Sequence, residues 1–114
     1  MNETPQGMKR EDKGQKLNHL SYWTPLALDR YARHMKIGEI KHGRANFQKG
    51  GYPPLEYLES TMRHLLAAWA NLERLGATVG PDGEDHLAAI IFNSQALMNE
   101  EARTAESPIS PSQQ

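Results

Sequence analysis

Three stretches of the chain carry apolar residues at helical spacing, and none alternates them as a strand does. The first follows Thr24-Pro25, a pair suited to the N-cap and first helical position, and runs to Gly43. Stepped at about 100° per residue from Leu28, the residues Ala32, Met35, Glu39 and His42 share one narrow face, which Asn46 joins if the helix continues. That stripe turns polar partway along, which predicts that Glu39 and His42 are partly buried. The second stretch runs from Pro54 to about Leu75 and stops at Gly76, a suitable left-handed terminator. Its Leu55, Leu58, Met62, Leu65, Leu66, Trp69 and Leu72 form a broad apolar face, expected to be the centre of the core. Glu56, Glu59 and Arg63 gather on one flank of that face, and Ser60 and His64 project from nearly the opposite side. The third stretch follows an Ala77–Gly83 linker, with Asp82 or Glu84 as its cap, and turns Leu87, Ile90, Ile91, Leu97 and Met98 to the core. His86 and Asn93 lie about 20° apart in projection at the edge of that stripe, whereas Asp85 points away by about 100°.

The expected fold is therefore all-α, a small antiparallel bundle of three main helices with flexible termini. Residues 1–20 are polar and glycine-containing and read as a flexible N-terminal arm. Residues 22–103 form the helical domain, and the Ser/Pro/Gln-rich residues 104–114 read as a disordered C-terminal tail. Three stripes of this width hold limited apolar surface, so a homodimer or higher homo-oligomer is expected.

Charge and composition narrow the class of function. The net charge is −1 and basic residues are interspersed with acidic ones, so there is no strong nucleic-acid signal, although a small nucleotide needs only a local arrangement of charge. Cys is absent, which points to a reducing compartment and excludes disulfides and thiolate metal sites. No apolar run reaches the ~20 residues of a membrane span, and Met1–Lys16 lacks the apolar core of a signal peptide, so the cytoplasm is the expected location.

Metal-assisted phosphate chemistry needs hard oxygen ligands, sometimes with imidazole, converging from more than one helix. Glu39, His42, Glu56, Glu59, Asp85 and His86 are the candidates. Each also suits ordinary helix chemistry, since acids near helix starts favour the macrodipole and Glu59 can pair with Arg63. The Lys41–Asn46 stretch ends a helix beside a glycine-bounded loop and could clasp an anion. His64, opposite an apolar face, is by itself most simply an exposed or interface histidine. A P-loop, a dinucleotide-binding glycine pattern, a nucleophile elbow and a His-Glu-x-x-His motif are all missing.

The order Gly38-Glu39-x-Lys41-His42-Gly43-x-x-Asn46-Phe47-x-x-Gly50, then Arg63-His64-Leu65, then Glu84-Asp85-His86-Leu87-Ala88-Ala89 with Phe92-Asn93, is more specific as a set than any part of it. It resembles the small phage and prophage domains named for the N-terminal part of dATP/dGTP diphosphohydrolases, over about Leu26 to Glu101. The resemblance implies hydrolysis of a purine deoxynucleoside triphosphate to monophosphate and pyrophosphate with a divalent metal, Mg²⁺ or Mn²⁺. MazG-like pyrophosphohydrolases supply the mechanistic analogy. On that reading Glu39, Glu59 and Asp85 hold metal, and His64 and His86 are catalytic, binding phosphate or positioning water. Lys41 and Arg63 neutralise phosphate charge, and Asn46 and Asn93 donate hydrogen bonds to the substrate. The alternative is a non-catalytic helical module that binds a nucleotide or serves as a phage accessory protein.

Overall fold

A computed structural model describes residues 16–42 and 51–106, which form three helices and, among the described residues, no strand. Helix α1 spans Pro25–His42, α2 spans Pro54–Leu75 and α3 spans His86–Glu106. Asn46, with its glycine-bounded loop, lies outside the described residues, as do the first fifteen positions of the expected arm and the tail beyond Glu106. Helix α3 continues past Arg103, the boundary expected from the change in composition.

The ends of the helices follow from local chemistry. Thr24 caps α1: its Oγ1 accepts the Ala27 N–H at 3.1 Å, and Pro25 occupies the first turn, where no backbone donor is needed. Helix α2 ends at Gly76, whose φ of 77° lets its N–H reach back to the Leu72 carbonyl at 2.9 Å. Asn71 then holds the departing chain by donating from Nδ2 to the Thr78 carbonyl at 3.0 Å. The cap of α3 is Asp85, one residue after Glu84; Asp85 Oδ1 accepts the Ala88 N–H at 3.1 Å. Asp82, the other expected cap, instead shapes the linker by accepting the Glu84 N–H at 3.1 Å.

Helices α2 and α3 pack most closely, and α1 lies on α3. Ser60 meets Asn93, while His64, further along α2, meets His86, earlier on α3, so the two helices run antiparallel. The seam between them is made of small and polar residues: Tyr57, Ser60, Thr61, His64, Ala68 and Asn71 on α2 against His86, Ala89, Asn93 and Ala96 on α3, while buried Ala88 lies on the side of α3 that meets α1 through Asp85 and Gln95. Alanines let the backbones approach, and the polar side chains between them satisfy one another.

The broad apolar face of α2, expected at the centre of the core, points the other way. Leu55, Leu58, Met62, Leu65, Leu66, Trp69 and Leu72 each remain 46–63% exposed. The Ser60–His64 side, read from the sequence as opposite that face, is the side buried against α3. On α3 the expected stripe is likewise split: Ile90, Ile91 and Leu97 are half-buried, whereas Leu87 and Met98 are exposed. A polar seam can face inward here because its groups pair with each other, and the apolar stripe that faces outward is the kind of patch that marks a contact surface.

Helix α1 is held by Arg30, whose Nε and Nη2 donate to the two Asp85 oxygens at 2.7 and 2.8 Å, and by Tyr31, whose hydroxyl bonds to Gln95 Oε1. The Arg30 guanidinium, with the Ala88 N–H, holds the Asp85 carboxyl below its ordinary 3.8 despite partial burial. A depressed native pKa means that this contribution is complete above the unfolded-state value and is lost as pH falls through the native one. Replacing Asp85 by Asn, which still caps, is expected to cost about 1 kcal/mol, and Asp85→Ala, which removes cap and ion pair, about 2 kcal/mol. Thermal melts against pH check this: the Asp85→Asn deficit begins to shrink as pH falls through the ordinary carboxylate range, where the unfolded chain takes up the proton first, and is gone once the native carboxylate is protonated at lower pH.

A histidine and carboxylate cluster as candidate metal centre

Three segments bring imidazoles and a carboxylate together at the linker end of the α2–α3 pair. His64 projects from the middle of α2, His86 is the first residue of α3, and Glu84 stands two residues before it. His64 Nδ1 lies 2.9 Å from His86 Nδ1, with ring centroids 5.1 Å apart and planes inclined at 43°. Glu84 Oε2 is 3.9 Å from His64 Nδ1. One donor atom from each of His64, Glu84 and His86 falls within 4.8 Å of the others, the one such group among the described residues.

The donor set fits a divalent transition ion. Two nitrogens bound tetrahedrally at about 2.0–2.1 Å lie roughly 3.3 Å apart, so opening the 2.9 Å imidazole pair by a few tenths of an ångström admits a metal. Without one, the two Nδ1 atoms share a proton, one ring donating and the other accepting. His86 is buried, His64 is half-buried and Glu84 is exposed, which leaves an approach from the carboxylate side. Burial is the chief cause lowering the His64 pKa below its ordinary 6.5; Glu84 opposes the shift, and His86, His34 and Arg63 add to it. The imidazole is thereby held neutral, the form that binds metal.

The cluster has further polar neighbours. His34, from α1, is half-buried; burial lowers its pKa, against the raising effect of Asp85 and Glu84. Asn93 follows His86 along the inner face of α3, as their seven-residue spacing predicts, and donates from Nδ2 to Ser60 Oγ at 3.1 Å. Asp85 is committed to Arg30 and to the α3 backbone.

Several residues singled out from the sequence are not among the donors of this cluster. Glu59 is exposed on the outer flank of α2, about 140° of helix away from His64. Glu39 is half-buried near the end of α1 and bonds to Lys36 Nζ at 3.3 Å. Lys41 and Arg63 are exposed, and Arg63 is close enough for its charge to act on His64. Conversely, Glu84 was visible only as a cap or a partial acidic motif, and Arg30 and His34 gave no signal in the stripe counted from Leu28. The half-buried residues of α1 are Ala27, Arg30, Tyr31, His34, Met35, Gly38 and Glu39. The i, i+4 series Arg30–His34–Gly38 beside Ala27–Tyr31 marks that face, with polar residues where apolar ones are usually sought.

A three-helix domain with a histidine–carboxylate centre at its linker end is the class that fold and geometry define. The chain belongs to the dATP/dGTP diphosphohydrolase N-terminal family, whose model matches residues 4–108. Comparison with curated proteins and with solved structures gives no match. No helix among the described residues is long and apolar enough to cross a membrane.

Calorimetric titration of the purified chain with Mn²⁺ or Zn²⁺ is expected to show one ion per chain. His64→Ala and His86→Ala should each weaken binding at least tenfold, while Glu59→Gln leaves it unchanged.

Proposed function

We propose that this chain hydrolyses purine deoxynucleoside triphosphates, dATP or dGTP, to the monophosphate and pyrophosphate, using a divalent ion held by His64, Glu84 and His86. The convergence of those three donors in a chain of this family is the observation that carries the reading. Two imidazoles and one carboxylate suit Mn²⁺ better than Mg²⁺, which prefers oxygen ligands and keeps much of its water. A bound ion there would neutralise phosphate charge and polarise a phosphoryl oxygen.

The remaining work falls to the chain's own groups. Arg63, one residue before His64, offers a guanidinium at the edge of the cluster for a phosphate oxygen. Lys41 and Asn46, at and beyond the end of α1, are the further substrate contacts in this proposal. His34 accepts or returns a proton beside the cluster, its imidazole kept mainly neutral by burial. Asn93, through Ser60, fixes the spacing of α2 and α3 next to His64 and His86, and the Arg30–Asp85 pair fixes the linker on which Glu84 stands. Glu39 and Glu59 serve the site indirectly at most in this arrangement. The acting unit is a cytoplasmic homo-oligomer.

Incubation with each deoxynucleoside triphosphate and Mn²⁺ or Mg²⁺ tests the proposal by pyrophosphate release. Expected are turnover of dGTP or dATP that a chelator abolishes, a loss of about 100-fold or more in His64→Ala and in His86→Ala, and a raised KM in Arg63→Ala. Nucleotide binding without turnover identifies a non-catalytic module instead, and turnover unaffected by both histidine substitutions overturns the assigned site.

A further inference from the structure

The outward stripe of α2 is independent of the metal centre. Leu55, Leu58, Met62, Leu65, Leu66, Trp69 and Leu72 fall within about 120° of helix, centred some 140° from His64. Their exposed portions amount to roughly 700 Å² of apolar surface, close to the ~800 Å² that each partner contributes to a stable protein interface. The stripe continues into an apolar groove of about 310 Å³ lined by Leu65, Ala68, Trp69, Leu72, Thr78 and Leu87. Trp69 is prepared for such burial, because its indole N–H already donates to Glu73 Oε2 at 3.1 Å.

We propose that a second copy of this chain covers the stripe, α2 packing on α2 about a two-fold axis. The segments outside the described residues hold little to cover it with, their large apolar side chains being Met1, Met8, Phe47 and Ile109. In this dimer the His64 sides of the two α2 helices face away from each other, leaving both metal centres open.

Sedimentation equilibrium of the full chain at micromolar concentration is expected to return twice the 12.8 kDa chain mass. Trp69→Glu should shift it to the monomer mass. Because that variant could also lose its fold, circular dichroism is followed alongside, and Leu58→Glu, nearer the start of the stripe, supplies an independent measurement: both variants are expected to stay helical while the mass falls to the monomer. A monomer from the unaltered chain, or a dimer insensitive to both Trp69→Glu and Leu58→Glu, overturns the proposal.

Discussion

The carboxylate of Asp85 is shared between two tasks that normally fall to different residues. One oxygen accepts the Ala88 N–H and so starts α3; both oxygens receive the Arg30 guanidinium and so bring α1 onto α3. The residues on either side of Asp85 are Glu84 and His86, two of the three donors of the candidate metal centre. A pair anchored 55 positions apart in sequence therefore sets the place where α3 begins and the direction in which its neighbours point. With only 36% and 15% of the two side chains exposed, the pair is better shielded from solvent than the Asp29–Arg33 pair on the surface of α1.

This arrangement explains why a chain with so little buried hydrocarbon adopts a defined shape. Among the described residues the buried apolar side chains are one tyrosine and four alanines, with His86 and Asn93 buried beside them. Hydrophobic burial of that extent does not specify one packing among several. Directional contacts do so instead: His64 with His86, Asn93 with Ser60, Arg30 with Asp85 and Asn71 with the linker carbonyl each permit a single register. The same polar seam that fixes the register also supplies the ligands, so structural and chemical roles occupy the same few residues.

Helix positions, the start of α1 and both ends of α2 were legible in the sequence because they depend on local chemistry, whereas α3 is capped by Asp85 and runs past Arg103. Thr24-Pro25, Pro54 and Gly76 act within one turn of themselves, and the structure uses all of them. The angular relation of Ser60 and His64 to the apolar stripe, and of His86 to Asn93, also followed from helical geometry. What periodicity could not give was which side of α2 faces its own chain. The usual inference assigns the apolar side inward, and it fails where that side is left to another surface. Glu84 was obscured for a related reason: a carboxylate just before a helix is ordinarily helix chemistry, and only the fold reveals that Asp85 has taken that task and left Glu84 beside the histidines. His34 was missed because a lone polar residue on a helix gives no sign of what packs against it.

The alanine seam reverses the usual map of mutational tolerance. Alanine is commonly the substitution a helix accepts most readily, yet Ala68, Ala89 and Ala96 line the α2–α3 seam and Ala88 the side of α3 toward α1, at 2–9% exposure. Any added methylene there must push the helices apart and stretch the polar contacts that hold the register. The bulky leucines, by contrast, are the positions at which a single chain has room to vary. Within one chain, then, room for added bulk is least at its smallest side chains.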